Sequence, residues 1–118
     1  MVPVYAELWT FRKDLVPTHE IVGFEVEARD GKIGKIDEMT DEVGRAAVVV
    51  DTGPWIFGRK VVIPAGALER VDLNDEKVYV SMTKDEIKDS PEFDPKTGWQ
   101  NDEYRGRLGT YYGERRAS

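Results

Sequence analysis

The sequence contains no cysteine, a single histidine and no long apolar run. Without cysteine there is no disulfide, no thiolate catalysis and no cysteine-ligated zinc or iron–sulfur site. The histidine, His19, lies beside a turn, where an isolated imidazole is usually solvated, so we expect no metal or general-base role for it. A membrane span needs about 18–20 apolar residues, so we expect no membrane insertion.

The charge balance is acidic, with 23 Asp and Glu against 17 Lys and Arg and a formal net charge of -6. Nonspecific nucleic-acid binding depends largely on the neutralisation of phosphates by Lys and Arg, so we do not expect a nucleic-acid partner. The first residues show no basic region followed by an apolar run, which is the signature of a secretory signal peptide. We therefore expect a cytoplasmic protein.

The chain has 118 residues, which is enough for one domain with a modest core. Three regions differ in composition. Residues 1–17 are predicted to form an N-terminal arm and residues 18–82 a strand-rich domain. Residues 83–118 are predicted to form a C-terminal tail of short helices and extended chain.

The strand-rich region alternates short β-branched runs with turn residues. Asp30-Gly31 indicates a tight turn, because Gly accepts a positive φ without steric cost. Gly34 within the following run indicates a bulge or a sharp bend. Five or six short strands at this spacing predict a mainly β fold, a small antiparallel β-barrel. The predicted strands cover residues 21–26, 32–39, 46–50, 60–63 and 77–81, with a short strand or turn at 67–71.

The tail carries helix start signals. Thr83 and Glu86 have the spacing of a capping box, so a short helix is predicted to begin there and to end at Lys88. Ser90-Pro91 has the residues of a second helical turn. A last helix is predicted from a capping Asn followed by apolar residues at helical spacing, namely Asn101, Tyr104, Leu108 and Tyr111. Because disordered tails are poor in aromatic residues, we expect the tail to pack against the barrel.

Four segments of the strand-rich region resemble the PRC-barrel domain: residues 23–26, 30–38, 48–53 and 60–64. The most specific is the hairpin Asp30-Gly31-Lys32-Ile33-Gly34-Lys35. This family is similar to the cytoplasmic part of the photosynthetic reaction-centre H subunit and to the C-terminal half of the ribosome-maturation factor RimM, and the tail resembles that of some stand-alone bacterial members. The resemblance implies a small barrel that serves as an adaptor or assembly surface, with no shared catalytic residues.

The chain also departs from these two relatives. It shows neither the membrane helix of the H subunit nor the N-terminal RNA-processing domain of RimM. We therefore carry over neither photosynthetic electron transfer nor ribosome maturation.

The run Val48-Val49-Val50-Asp51-Thr52-Gly53 invites a different interpretation, because it looks like the catalytic loop of an aspartic protease. Such a site in a short chain needs a dimer, in which two carboxylates share a proton. It also needs an apolar-apolar-Gly segment far downstream. The similar segment here, Ile56-Phe57-Gly58, begins three residues after Gly53 and is too close to serve. We favour a strand that ends in an Asx-type turn at Asp51.

The segment Pro54-Trp55-Ile56-Phe57 places two large aromatic side chains close together between Gly and Pro. One interpretation is a loop folded over the mouth of the barrel. The other is a binding hot spot for a protein partner, a role in which Trp is enriched. We take Trp55, Ile56 and Phe57 as the partner-binding candidates, and a homodimer is one form that such binding could take.

No nucleophile–base pair and no cofactor motif is evident, and we predict no cofactor. The acidic residues around the second turn do not have EF-hand spacing, so no metal site is predicted from Asp37, Glu38, Asp41 and Glu42. We therefore predict a non-catalytic module for protein interaction or assembly. The alternatives are a dimeric aspartic protease that uses Asp51 and, by analogy with RimM, a ribosome- or RNA-associated factor.

Overall fold

The computed structural model describes residue 9 and residues 21–40, 45–53, 60–92, 96 and 98–117. Strands, a 3₁₀ turn and two helices lie within them. Their bounds are β1 Glu25–Ala28, β2 Gly31–Thr40, β3 Ala47–Asp51, β4 Lys60–Pro64, the 3₁₀ turn Ala65–Ala67, β5 Leu68–Asp72, β6 Lys77–Val80, α1 Lys84–Lys88 and α2 Asp102–Ala117. Among these residues, no helix is long and apolar enough to cross a membrane.

The strands form one six-stranded sheet in the order β4-β3-β2-β1-β6-β5. Neighbouring strands are antiparallel except for β1 and β6, which run parallel. Within the described residues the two edge strands do not pair with each other, so the sheet is not closed. The predicted fold is thus confirmed only in part: the chain is mainly β, but the sheet is mixed and open where an antiparallel barrel was expected.

The parallel pair follows from the connection between β4 and β5. The 3₁₀ turn Ala65–Ala67 leads directly from the end of β4 into β5. The hairpin of β5 and β6 then returns on the far side of β1, where Val26 lies opposite Val78. Consecutive strands usually neighbour each other, and turn residues identify such hairpins. Turn residues carry no information on a pairing between strands that are far apart in the sequence.

β2 joins the two halves of the sheet, because its first half pairs with β1 and its second half with β3. Two bulges interrupt it. One leaves Ile33 without an opposite residue on β1, beside Gly34, and the other leaves Asp37 without an opposite residue on β3. Bulges bend a strand and increase its twist, so β2 can follow both halves around a common core. Of the two features predicted at Gly34, a bulge or a sharp bend, the structure has a bulge, at the neighbouring residue Ile33.

The core is one cluster of apolar side chains from all six strands and from the tail. In β3, the residues from Ala47 to Val50 are each 0% exposed, as the unbroken apolar run predicts for a central strand. Trp9 of the N-terminal arm is also buried in this cluster. Its carbonyl oxygen accepts a hydrogen bond from the Ala46 amide at 2.9 Å, which extends the bonding of the sheet beyond β3.

The described part of the tail packs against the sheet, as its aromatic content predicts. α1 begins with the predicted capping box: Thr83 Oγ1 accepts a hydrogen bond from the Glu86 amide at 3.2 Å, and Glu86 Oε1 accepts one from the Thr83 amide at 3.1 Å. α2 begins with the predicted Asn cap, since Asn101 Oδ1 accepts from the Tyr104 amide at 3.1 Å. The large buried side chains of the tail are Ile87, Trp99, Tyr104, Arg105, Leu108 and Tyr112.

Two details of the tail differ from the prediction. Residues 91 and 92 of the predicted turn 90–93 are not helical, and residue 93 lies outside the described residues. α2 is a helix of 16 residues, and its fully buried tyrosine is Tyr112, while Tyr111 is only partly buried. The stripe Tyr104, Leu108 and Tyr112 has the four-residue spacing of one helix face.

Candidate interaction surface

One residue from each strand contributes to a row of alternating charges that crosses the whole sheet. Each member is the in-register partner of the next one on the neighbouring strand. From the β4 edge to the β5 edge, the row consists of Lys60, Asp51, Lys35, Glu25, Lys77 and Asp72. In-register residues project from the same face of a sheet, so cations and anions alternate along this charge row without interruption.

Two side chains beside the charge row form ion pairs with members of the row. Lys32 donates a hydrogen bond to Glu25 Oε1 at 3.0 Å, and this contact holds the pKa of Glu25 below its usual value. Asp37, at the second bulge, accepts a hydrogen bond from Lys60 Nζ at 2.7 Å and raises the pKa of Lys60. Exposed ion pairs stabilise a fold only weakly, but opposite charges in register favour one strand alignment over its neighbours.

The charge row lies at one end of every strand except β2, which crosses it at Lys35. From the row, β1, β5 and β6 extend toward Gly31 of β2, and β3 and β4 extend toward Thr40. β1, β4 and β6 begin with a row residue, and β3 and β5 end with one. Residues 21–24, 52–53 and 73–76 lie just beyond it, and we call these segments together with the row the row end. The large hydrophobic side chains left exposed among the described residues are Val22, at 46%, and Leu73, at 66%. Both belong to the row end.

The other ends of the strands are held by the tail. Asp30, in the turn between β1 and β2, accepts a hydrogen bond from the Lys84 amide at 2.8 Å, at the first turn of α1. Arg45, just before β3, donates to Asp102 Oδ1 at 3.1 Å and to the Gln100 carbonyl at 3.0 Å, at the start of α2. The strand ends away from the row, which we call the tail end, therefore have an intramolecular partner, whereas Val22 and Leu73 at the row end are exposed.

A buried arginine contributes to the tail end. Arg105 of α2 is 6% exposed and donates a hydrogen bond to the Arg45 carbonyl. Its guanidinium carbon lies 4.3 Å from the centre of the Trp9 ring and 5.7 Å from that of Trp99. A guanidinium at these distances is attracted to aromatic rings, more strongly when it is desolvated. Arg105 thus joins the N-terminal arm, the start of β3 and the tail.

A groove of about 440 Å³ opens at the row end where β3 separates from β2. Its lining residues are Lys32, Ile33, Gly34, Lys35, Asp51, Thr52 and Gly53. Among the described residues, β2 pairs with β3 only from Lys35 onward, so the preceding residues of β2 face the groove. The groove therefore combines exposed lysines and one carboxylate with apolar lining.

Asp51 ends β3 in the predicted Asx turn, since its Oδ1 accepts a hydrogen bond from the Gly53 amide at 2.9 Å. Its in-register neighbours are Lys35 and Lys60, not a second carboxylate. A protease-type pair would need a carboxylate from another copy of the chain. Within the part of the chain that the structure describes, no three His, Cys, Asp or Glu side chains are grouped so that they could hold a metal ion.

The model of the PRC-barrel domain matches residues 13–87, which is more than half of the chain. The chain belongs to the PRC-barrel family. Among solved structures it is similar to a protein described as the 16S ribosomal RNA processing protein RimM of Pseudomonas aeruginosa, with a TM-score of 0.49 and 20% sequence identity. That similarity covers 64% of this chain and 50% of the RimM chain, so the chain spans about half the length of that relative. The search of curated proteins found no match.

The partner-binding candidates Trp55, Ile56 and Phe57 of this PRC-barrel protein lie outside the described residues, as does His19. The same holds for Asp41 and Glu42 of the acidic cluster. The residues next to the 54–59 segment are described. Gly53 and Lys60 both lie at the row end, so the segment that carries the aromatic candidates is attached there at both of its ends.

The charge row itself was not predicted from the sequence. A local signal exists for three row residues, each of which is a charged residue at the boundary of a short, largely apolar run: Asp51, Lys60 and Lys77. Their alignment depends on the parallel pairing of β1 with β6 and on the two bulges of β2. A bulge changes the register of all later pairs, so local patterns could not align these charges.

Proposed function

We propose that this PRC-barrel protein is a non-catalytic module for protein interaction and assembly, and that it binds its partner with the row end. The observation that supports this proposal is the contrast between the two ends of the strands. The tail packs on one end through Asp30 and Arg45. The other end carries the groove and the exposed side chains Val22 and Leu73. Among the described residues these are the large apolar side chains left exposed, and exposed apolar surface is a common feature of interaction sites.

We further propose Trp55 and Phe57 as anchors of the interface, with Ile56 between them. The segment that carries them begins after Gly53 and ends before Lys60, and both of these residues lie at the row end. Trp is among the residues that most often dominate binding energies at interfaces. Replacement of Trp55 by Ala is therefore expected to weaken partner binding about thirtyfold or more, as truncation of a hot-spot residue usually does.

Site-specific photo-crosslinking in cells tests the proposal. A photoreactive residue is placed at Leu73, at the row end, and in a matched control at Glu103, which is exposed on α2 at the tail end. We expect protein adducts from position 73 and far fewer from position 103. Adducts that consist of RNA would support the RNA-associated alternative, and equal labelling from both positions would contradict the row end as the binding surface.

We propose no catalytic role for Asp51. Its Oδ1 is engaged by the Gly53 amide, and its in-register neighbours are lysines. The purified protein is therefore expected to leave a mixture of peptides uncut at acid pH. Cleavage that is lost in Asp51→Asn but kept in Asp75→Asn, an exposed aspartate of the β5–β6 turn, would overturn this assignment.

A further inference from the structure

The charge row has a symmetry that goes beyond its role within one sheet. It contains one residue from each of the six strands, and its charges alternate from Lys60 at one end to Asp72 at the other. When a row with an even number of alternating charges is reversed, every cation faces an anion. The row is therefore complementary to a reversed copy of itself, whereas an unreversed copy would place like charges opposite each other.

We propose that the row end binds a second copy of this chain, and that the two copies are related by a two-fold axis. The axis is perpendicular to the charge row and passes over it between Lys35 and Glu25. The axis lies in the plane between the two copies. Lys35 of each copy then faces Glu25 of the partner copy, and Asp51 of each faces Lys77. Such an interface is isologous, so each contact occurs twice. The inference rests on the proposed function and names the partner as the chain itself.

The centre of the row carries most of this contact. At a strand spacing of about 4.8 Å the six residues span about 24 Å, and the usual twist of about 20–25° per strand turns the two ends of the row away from a common plane. Lys35 and Glu25 lie next to the axis, and Asp51 and Lys77 follow. Lys35 is exposed and forms no ion pair with another described residue. Its ammonium group is available to a partner.

Apolar side chains flank the row on the β1–β6–β5 side. Val22 lies three residues before Glu25, and Leu73 directly follows Asp72. They are 46% and 66% exposed, and the Glu25 amide donates a hydrogen bond to the Glu76 carbonyl at 3.0 Å, which holds the two flanking segments together. A second copy would cover Val22, which is close in sequence to Glu25 at the centre of the row. Charge complementarity would set the orientation, and the burial of apolar surface would add affinity.

If the charge row only stabilises the sheet to which it belongs, a different result is expected. Cross-strand pairs of opposite charge stabilise a sheet modestly, so reversal of one charge would then change the melting temperature and leave association unaffected. The proposed dimer predicts instead that reversal of a charge next to the axis abolishes association. It also predicts that a second, compensating reversal on the other copy restores it.

Sedimentation and native mass spectrometry of two charge-reversal variants test this prediction. Lys35→Glu and Glu25→Lys each place like charges opposite each other twice across the axis, so each alone is expected to self-associate at least about a hundredfold more weakly than the unaltered chain. In an equimolar mixture every central contact is again complementary, and heterodimers are expected at the affinity of the unaltered chain. Lys88→Glu, which makes the same charge change on α1 at the tail end, is expected to associate normally.

A second pair of variants keeps the proposal testable if the charge-reversal variants misfold. Lys35→Gln and Glu25→Gln remove a charge without creating like neighbours. Both are expected to weaken association and to flatten its decrease between about 0.05 and 0.5 M salt. The proposal is overturned if the unaltered chain stays monomeric up to about 1 mM, if the mixture fails to restore dimers, or if Lys88→Glu weakens association equally. A monomer that still forms adducts with other proteins from position 73 would refute the dimer and leave the proposed function intact.

Discussion

The backbone of Asp51 and Thr52, at the end of β3, passes very close to Gly34 of β2 at the edge of the groove. The φ of Gly34 is +156°, and a Cβ atom built there would lie 2.0 Å from the carbonyl oxygen of Asp51 and 2.9 Å from the Cα of Thr52. These are backbone atoms, so the contact cannot be relieved by a change of rotamer. The position of Asp51, the groove and the register of β2 with β3 all depend on the absence of a side chain at this residue.

Replacement of Gly34 by Ala is therefore expected to lower the free energy of unfolding by about 3 kcal/mol, because the ends of β2 and β3 must separate. Gly106→Ala is the matched control. A Cβ at Gly106 meets no atom within 4 Å, and Ala is favoured over Gly inside a helix by about 0.5–1 kcal/mol, so this variant is expected to be more stable. Urea denaturation of both variants measures the difference, and equal effects would refute the close approach.

The ion pair between Lys32 and Glu25 gives the row end a defined pH response. The hydrogen bond from Lys32 holds the pKa of folded Glu25 below its unfolded value. The stabilisation is therefore fully present above the unfolded pKa of Glu25, and it is lost as the pH falls through the lower, folded pKa.

The pKa of Glu25 is thus expected to be higher in Lys32→Gln than in the unaltered chain. This variant is expected to be less stable than the unaltered chain at neutral pH and equally stable in acid. NMR titration of the Glu25 carboxylate measures the pKa, and denaturation at neutral and acid pH measures the stability. Lys60→Gln removes the same charge from the sheet, but its partner is Asp37. It is expected to leave the titration of Glu25 nearly unchanged. An unaltered Glu25 pKa in Lys32→Gln would show that the ion pair does not form in solution.

At the scale of elements, α2 is held in place by side chains of two kinds. Tyr104, Leu108 and Tyr112 present an apolar stripe to the core. Arg105, one residue further round the helix, inserts its cation between Trp9 and Trp99 and binds the Arg45 carbonyl. The intrinsic helix propensity of this segment is weakened by its glycines, so its stability depends on these tertiary contacts.

Arg105→Ala is expected to destabilise the protein by about 2–4 kcal/mol, through loss of a desolvated cation–π contact and of a hydrogen bond from a charged donor. The amides of α2 should exchange faster with solvent than in the unaltered chain. Arg107→Ala is the control, because Arg107 is exposed and lies 6.0 Å from the Tyr104 ring, and its effect is expected to stay within about 0.5 kcal/mol. Similar losses in the two variants would contradict the role of Arg105.

The elements differ in how far their sequence determines them. The capping box at Thr83, the Asn cap of α2, the Asx turn at Asp51 and a bulge or sharp bend at Gly34 were all predicted, because each depends on side chains within a few residues of one another. The parallel pairing of β1 with β6 depends on contacts between distant strands, and it was not predicted. The charge row depends on that pairing, so the candidate surface was found only in part. The place of Arg105 was missed because a cation between two distant tryptophans has no local signature.

At the scale of the whole molecule, the tail end and the row end differ in their surroundings. The tail end is packed by α1, α2 and Trp9, and the polar contacts of Asp30, Arg45 and Arg105 hold that packing in place. The row end carries the charge row, the groove and the exposed side chains Val22 and Leu73. A small domain gains stability from any element that adds buried area. The tail therefore supports the sheet at the tail end, while Val22 and Leu73 at the row end stay exposed.

This division predicts the effect of removing the tail. The side chains that the tail buries in the core are Ile87, Trp99, Tyr104, Leu108 and Tyr112. Full burial of a large apolar side chain contributes about 1.5–3 kcal/mol before the entropy of ordering is subtracted. The sum is comparable with the total stability of a typical domain, about 5–15 kcal/mol. A chain that ends after Ser81 is therefore expected to melt at least about 10 °C lower or to lose its cooperative transition.

A chain that ends after Gly113 is the control, because it keeps all five of these buried side chains, and it is expected to melt like the full chain. Differential scanning calorimetry compares the three chains, and hydrogen exchange at the amides of residues 104–112 reports on the docking of α2 directly. If the tail is a structural part of the domain, these amides exchange only through openings that approach the free energy of global unfolding. An unchanged melting temperature after removal of residues 82–118, with free exchange at those amides in the full chain, would instead make the tail a peptide that is ordered only by a partner.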